Sequence, residues 1–98
     1  MSAADMVHKL KTLKPRLEGE GVRHLILFGS QARGSQTADS DIDIAIDVEP
    51  DSRFSIINLV GVEQIISEAI GIPANAFMRR SLDQEFRSEL DREGIEVF

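Results

Sequence analysis

The sequence predicts an α/β (α+β) fold, a small mixed β-sheet flanked by helices, and three observations predict it. Short runs rich in Ile, Leu and Val alternate along the chain with amphipathic helical stripes, the order expected of a layered domain. The segment Asp41-Ile42-Asp43-Ile44-Ala45-Ile46-Asp47-Val48 alternates with a period of two, so one strand must send isoleucines into a core and acids to the opposite face. At 98 residues and 42% hydrophobic composition, the chain is expected to form a single domain over residues 1–98 around an aliphatic core.

Each element has its own signal. Met6, Leu10, Leu13 and Leu17 recur at helical spacing, and Pro15 predicts a kink or a restarted last turn before a Gly19-Glu20-Gly21 loop. A first strand is expected near 22 to 28. Gln31, Ala32 and Arg33 suit a short helical turn, and the polar stretch 34–40 leads to a second strand, roughly 41 to 48. The alternation places Ile42, Ile44, Ile46 and Val48 inward, with Asp41, Asp43, Ala45 and Asp47 on the solvent side. A long helix is expected from about 55 to 70, with Ile56, Leu59, Val62, Ile66, Ala69 and Ile70 as its apolar face and Gly71 as its stop. Ala74 to Met78 reads as a third strand. Ser81 and Gln84 form an S-x-x-Q capping box for a helix carrying Leu82, Phe86 and Leu90, which Gly94 ends; Ile95, Val97 and Phe98 suit a last edge strand.

Composition narrows the function. A formal charge of −6 argues against unaided binding to a nucleic-acid backbone, which calls for clustered Lys and Arg. Without cysteine there is no disulfide or thiolate site, and two histidines are too few for an easy zinc cage. No span approaches the roughly 20 apolar residues of a membrane helix, and no signal-peptide core is visible, so a cytoplasmic protein without membrane attachment is expected.

The residues that carry chemistry are Gly29, Ser30, Asp41 and Asp43. A strand ending in Leu25-Ile26-Leu27-Phe28 runs into a glycine, where a phosphate can approach the bare backbone, and Ser30 adds a hydroxyl beside the free N–H groups of a turn. Beyond the ten residues that follow Ser30, Asp41 and Asp43 share a strand face with α-carbons roughly 6 to 7 Å apart. Such a pair suits Mg²⁺, which takes one or two carboxylates and fills its remaining positions with water and phosphate oxygens. Arg33 is a candidate to offset triphosphate charge, with a solvated arginine as the plain alternative; Gln31 is open in the same way. Asp47 is about 13 Å from Asp43 along the strand, too far to share one ion with it. His8 and His24 read as surface or packing residues, while Arg79 and Arg80 read either as solvated or as a receptor for an acidic substrate or partner. Asp39, Asp41 and Asp43 imitate the start of a calcium loop, but Ile44 and Pro50 occupy the positions that require glycine and glutamate. No P-loop or Rossmann glycine pattern is present.

Leu27-Phe28-Gly29-Ser30-Gln31-Ala32-Arg33-Gly34, the ten-residue interval and Asp41-Ile42-Asp43-Ile44 together resemble the signature of the DNA polymerase beta-like nucleotidyltransferases, in their minimal, single-domain branch. The resemblance runs over essentially the whole chain. It implies a nucleotide over Gly29 and Ser30, with Arg33 nearby, and a catalytic pair, Asp41 and Asp43, holding Mg²⁺ or Mn²⁺. The implied reaction transfers a nucleoside monophosphate, AMP from ATP in the expected case, to a hydroxyl of a protein or small molecule and releases pyrophosphate. It also implies a helical HEPN-domain partner, a ribonuclease-like toxin restrained by binding or by attached AMP. One departure stands out: Asn75 occupies the position where the family supplies a third carboxylate. Asparagine offers an amide oxygen but no charge and no carboxylate base, so the alternative to an enzyme is a catalytically weakened nucleotide-binding or partner-binding subunit. Asp83 and Glu85 are the nearby acids that could compensate.

Overall fold

Proline decides how the chain begins. The computed structural model describes residues 1–37 and 39–98; Ala38, within the expected turn-rich stretch 34–40, lies outside the described residues. Helix α1 (Ala3–Thr12) starts at Ser2, whose hydroxyl accepts the Asp5 N–H at 3.1 Å while its own N–H donates to the Asp5 carboxylate. The Ser2 N–H and then its hydroxyl hold that carboxyl below its usual value. The helix breaks at Leu13, whose N–H donates to the Leu10 carbonyl, and α2 (Lys14–Glu20) restarts with Pro15 in its first turn, where a missing N–H costs nothing. The restart is a full second helix and not only a last turn. Gly19 and Glu20 are helical, and only Gly21, at φ 107°, leaves the helix.

Strand β1 (Val22–Phe28) leads through the four-residue helix α3 (Ser30–Arg33) and an irregular stretch to β2 (Ile42–Val48). Helix α4 (Ile56–Ile70) then crosses to β3 (Ala74–Met78); a 3-10 turn at Arg79–Ser81, helix α5 (Gln84–Glu93) and β4 (Ile95–Glu96) complete the order. The strands lie as β3-β2-β1-β4, with β1 antiparallel to β2 and β4, and β2 parallel to β3. The sheet is therefore mixed, as the sequence predicts. β4 occupies the expected edge, and beyond it the Val97 N–H donates to the Leu25 carbonyl and the Leu25 N–H to the Phe98 carbonyl.

One face of the sheet carries the larger core, in which Leu25, Leu27, Ile42, Ile44 and Ile46 meet Met6, Leu10 and Leu17 from the first two helices and Val62 and Ile66 from α4. The other face departs from expectation. Ala45, expected on the solvent side, is fully buried with Ile26, Phe28 and Leu90, because α5 lies across that face. Apolar residues on both sides of β1, Leu25 and Leu27 against Ile26 and Phe28, are the signal of two-sided burial.

Three further expectations are corrected. Ile56 is 70% exposed and Ala69 is also exposed, since α4 turns Leu59, Val62, Ile65, Ile66 and Ile70 to the core. Ser81 does not cap α5: it belongs to the 3-10 turn, and Asp83 is the N-cap, its carboxylate accepting the Phe86 N–H at 2.9 Å. Phe86 points outward, 46% exposed. At the outer side of β3, Ser67 Oγ accepts the Ala74 N–H at 3.0 Å and Glu63 Oε2 accepts the Ala76 N–H at 2.8 Å.

Candidate nucleotide and metal site

The register of three strands assembles the site. Phe28 pairs with Asp43 across β1 and β2, and Asp43 pairs with Asn75 across β2 and β3, so the residue after β1, Asp43 of β2 with Asp41 just before the strand, and the amide of β3 converge. Gly29 fits this junction as no other residue would. Its φ is 73°, in the left-handed region, and a β-carbon there would lie 2.7 Å from the Asp43 carboxylate oxygen. The close approach that the sequence suggested for a phosphate is also needed by the protein's own acid.

Ser30 opens α3, where the Gly29 carbonyl accepts the N–H groups of Ala32 and Arg33 at 3.1 Å. The first N–H groups of a helix have no partner within it, which leaves donors at this turn for an anion. Gln31, undecided from sequence, is 3% exposed, and its amide donates to the Ser40 carbonyl at 3.3 Å. It ties the turn to the residue before Asp41, a structural role that no local pattern announced.

Asn75 donates from Nδ2 to Asp41 at 3.1 Å and to Asp43 at 3.2 Å. An amide N–H₂ thus stands between two like charges and relieves their repulsion. Among the described residues there is no group of three His, Cys, Asp or Glu placed to hold a metal. The donor set here is two carboxylates and, if the Asn75 amide is turned over, its carbonyl oxygen. All three are hard oxygen ligands, so the set fits Mg²⁺ or Mn²⁺.

The remaining candidates lie apart from this set. Arg33 is shared by Glu89 at 3.4 Å and Glu93 at 3.1 Å, so α5 already offsets its charge. Asp47 is held by Arg79 at 3.3 Å. Asp83 is engaged as a helix cap and Glu85 is exposed on α5; among the described residues the Asn75 side chain is hydrogen-bonded to Asp41 and Asp43 and to neither of these. His8 and His24 are on the surface, His24 being 3.7 Å from Glu96. Phe28 and Phe77 meet edge-to-face with centroids 5.8 Å apart beside the acid pair, a contact across β2 that single-strand patterns do not reveal.

Residues 9–97 match the nucleotidyltransferase domain family. The protein adenylyltransferase MntA of Thermococcus cleftensis is 32% identical over 90 residues, 92% of this chain and 85% of that protein. Among solved structures, a candidate minimal nucleotidyltransferase superposes with a TM-score of 0.80 at 21% identity, over 97% of this chain and 95% of the other. A chain from the complex of a tri-AMPylated Shewanella oneidensis HEPN toxin with its MNT antitoxin matches at TM-score 0.65 and 18% identity, over 90% of this chain and 68% of that one. A family match over residues 9–97, with 32% identity to a relative across 92% of the chain, leads to one conclusion: the chain belongs to the nucleotidyltransferase domain family, as a minimal nucleotidyltransferase.

Proposed function

We propose that the chain transfers AMP from ATP to a hydroxyl of a protein acceptor, and that this acceptor is a helical protein of the HEPN type. The observation that carries the reading is the junction of the Gly29-Ser30 turn with Asp41 and Asp43 through the Phe28–Asp43 register. A relative named as a protein adenylyltransferase supports the acceptor class, and a similar fold in complex with an AMPylated HEPN toxin supports the partner.

In this reading the turn at Gly29 and Ser30 orients the phosphates, and Asp41, Asp43 and the Asn75 carbonyl oxygen would hold Mg²⁺ or Mn²⁺. When bound, the ion offsets triphosphate charge and stabilises the departing pyrophosphate. The acceptor oxygen forms a bond to the α-phosphorus as the bond to the pyrophosphate oxygen breaks, and the hydroxyl proton passes to water or to a carboxylate. Asn75 cannot take up that proton. Its place between the aspartates therefore favours a second reading, a subunit that binds nucleotide and partner without transfer.

Radiolabelled ATP with Mg²⁺ or Mn²⁺ and a co-purified HEPN-type protein separates the two. Label on the partner, with the mass of AMP, that disappears in Asp41→Asn and Asp43→Asn supports the enzyme. Nucleotide binding without label supports the second reading, and unchanged ATP affinity in both variants removes the metal site.

A further inference from the structure

At the far end of β3 from Asn75, three arginines gather on a chain of net charge −6. Arg79, Arg80 and Arg87 line a cleft of about 350 Å³ together with Asp47 and Asp91. Arg79 is neutralised there by Asp47 at 3.3 Å and Asp91 at 3.5 Å. The other two are not: among the described residues neither Arg80 nor Arg87 is in a salt bridge. Arg87 is nonetheless fixed, because its Nη2 donates to the Arg80 carbonyl at 2.8 Å. The Arg87 guanidinium, held in place, and the exposed Arg80 on the same cleft, neither paired with a carboxylate, make a receptor for one anionic side chain.

The location limits what that anion belongs to. The phosphate turn follows β1, on one flank of the acid pair, while β3 lies on the other flank. On the reading above, with the nucleotide over that turn, the β3 flank is the side open to an acceptor. Asn75 and Phe77 share one face of β3, Arg79 follows in the 3-10 turn and meets Asp47, and Phe77 is 37% exposed. Three strand steps from Asn75 to the end of β3 at Met78 cover about 10 Å, and Arg80 lies in the turn beyond it, so the span to the cleft is that of about four residues of extended peptide. Asp47 and Asp91 beside the arginines oppose a continuous phosphate backbone, with a charge at every residue, more than a single carboxylate.

We propose that the Arg80–Arg87 cleft receives an acidic side chain of the protein acceptor, about four residues from the hydroxyl that is modified. The proposal rests on the transfer reading above, and its test separates the two. The probe is an eight-residue peptide with a tyrosine and, four residues away, a glutamate, compared with the same peptide carrying glutamine. Binding is followed by NMR at the Arg80 and Arg87 side-chain Nε–H signals, and transfer by radiolabelled ATP. The glutamate peptide should shift both signals, and Arg80→Ala or Arg87→Ala should weaken it about fivefold. Arg16→Ala, an exposed charge elsewhere, should leave it unchanged, as should all three variants for Mg²⁺-ATP. Binding at the two arginines without transfer upholds the cleft and counts against the transfer reading. Transfer that ignores the glutamate and both arginines overturns the cleft and leaves that reading standing. Equal binding of the two peptides, no binding of either, or preference for a single-stranded RNA over the acidic peptide also overturns it.

Discussion

Gly29 serves two demands with one missing side chain, and substitution there should expose both. Gly29→Ala combines a left-handed backbone with a β-carbon 2.7 Å from Asp43, so the strand end or the carboxylate must move. The expected cost is about 1–3 kcal/mol in urea denaturation, accompanied by weaker Mg²⁺-ATP binding in calorimetry. Asn75 gives a prediction with a change of sign. Asn75→Asp replaces the amide donors to Asp41 and Asp43 by a third negative charge, so in EDTA the domain should lose about 1–3 kcal/mol. With Mn²⁺ the same variant should melt higher than the parent and transfer faster, because the added carboxylate becomes a ligand. A variant equally stable with and without metal would show that the three side chains do not share an ion.

At the level of elements, the cap of α5 separates sequence expectation from structure. Asp83→Ala should cost about 1 kcal/mol and Ser81→Ala less than about 0.5, measured by thermal unfolding; the reverse order would restore the capping box at Ser81. The sequence placed β1, β2, β3 and α4 to within a residue because their signals are local: alternation, a bounded apolar run, a stopping glycine. It misplaced this cap because Ser81 and Asp83 are both good caps, and the choice rests on how the 3-10 turn leaves β3. The site was legible for the same reason as the strands, since glycine, serine and both aspartates lie in short motifs. Asn75 was found only through family resemblance, while Gln31 and the Phe28–Phe77 contact depend on tertiary packing and were not readable.

For the molecule as a whole, the second layer is what periodicity in β2 concealed. A single small residue, Ala45, lets Leu90 and α5 close over a face otherwise marked by acids, and α5 in turn brings Glu89 and Glu93 to Arg33. Leu90→Ala should therefore cost about 2–5 kcal/mol and loosen α5, raising amide exchange at Arg33 as well as within the helix. Exchange changes confined to α5 would show that the layer and the Ser30–Arg33 turn are independent. The described helices include none long and apolar enough to cross a membrane.

The hydrogen bonds from Ala74 and Ala76 to Ser67 and Glu63 also govern how β3 can be recognised. With those N–H groups already satisfied, an incoming chain cannot simply extend the sheet, a mode of association that accepts almost any extended sequence. Whatever meets this border of the molecule has to be recognised by its side chains, so the sealed edge favours discrimination between partners and opposes fibrillar self-association at the same strand.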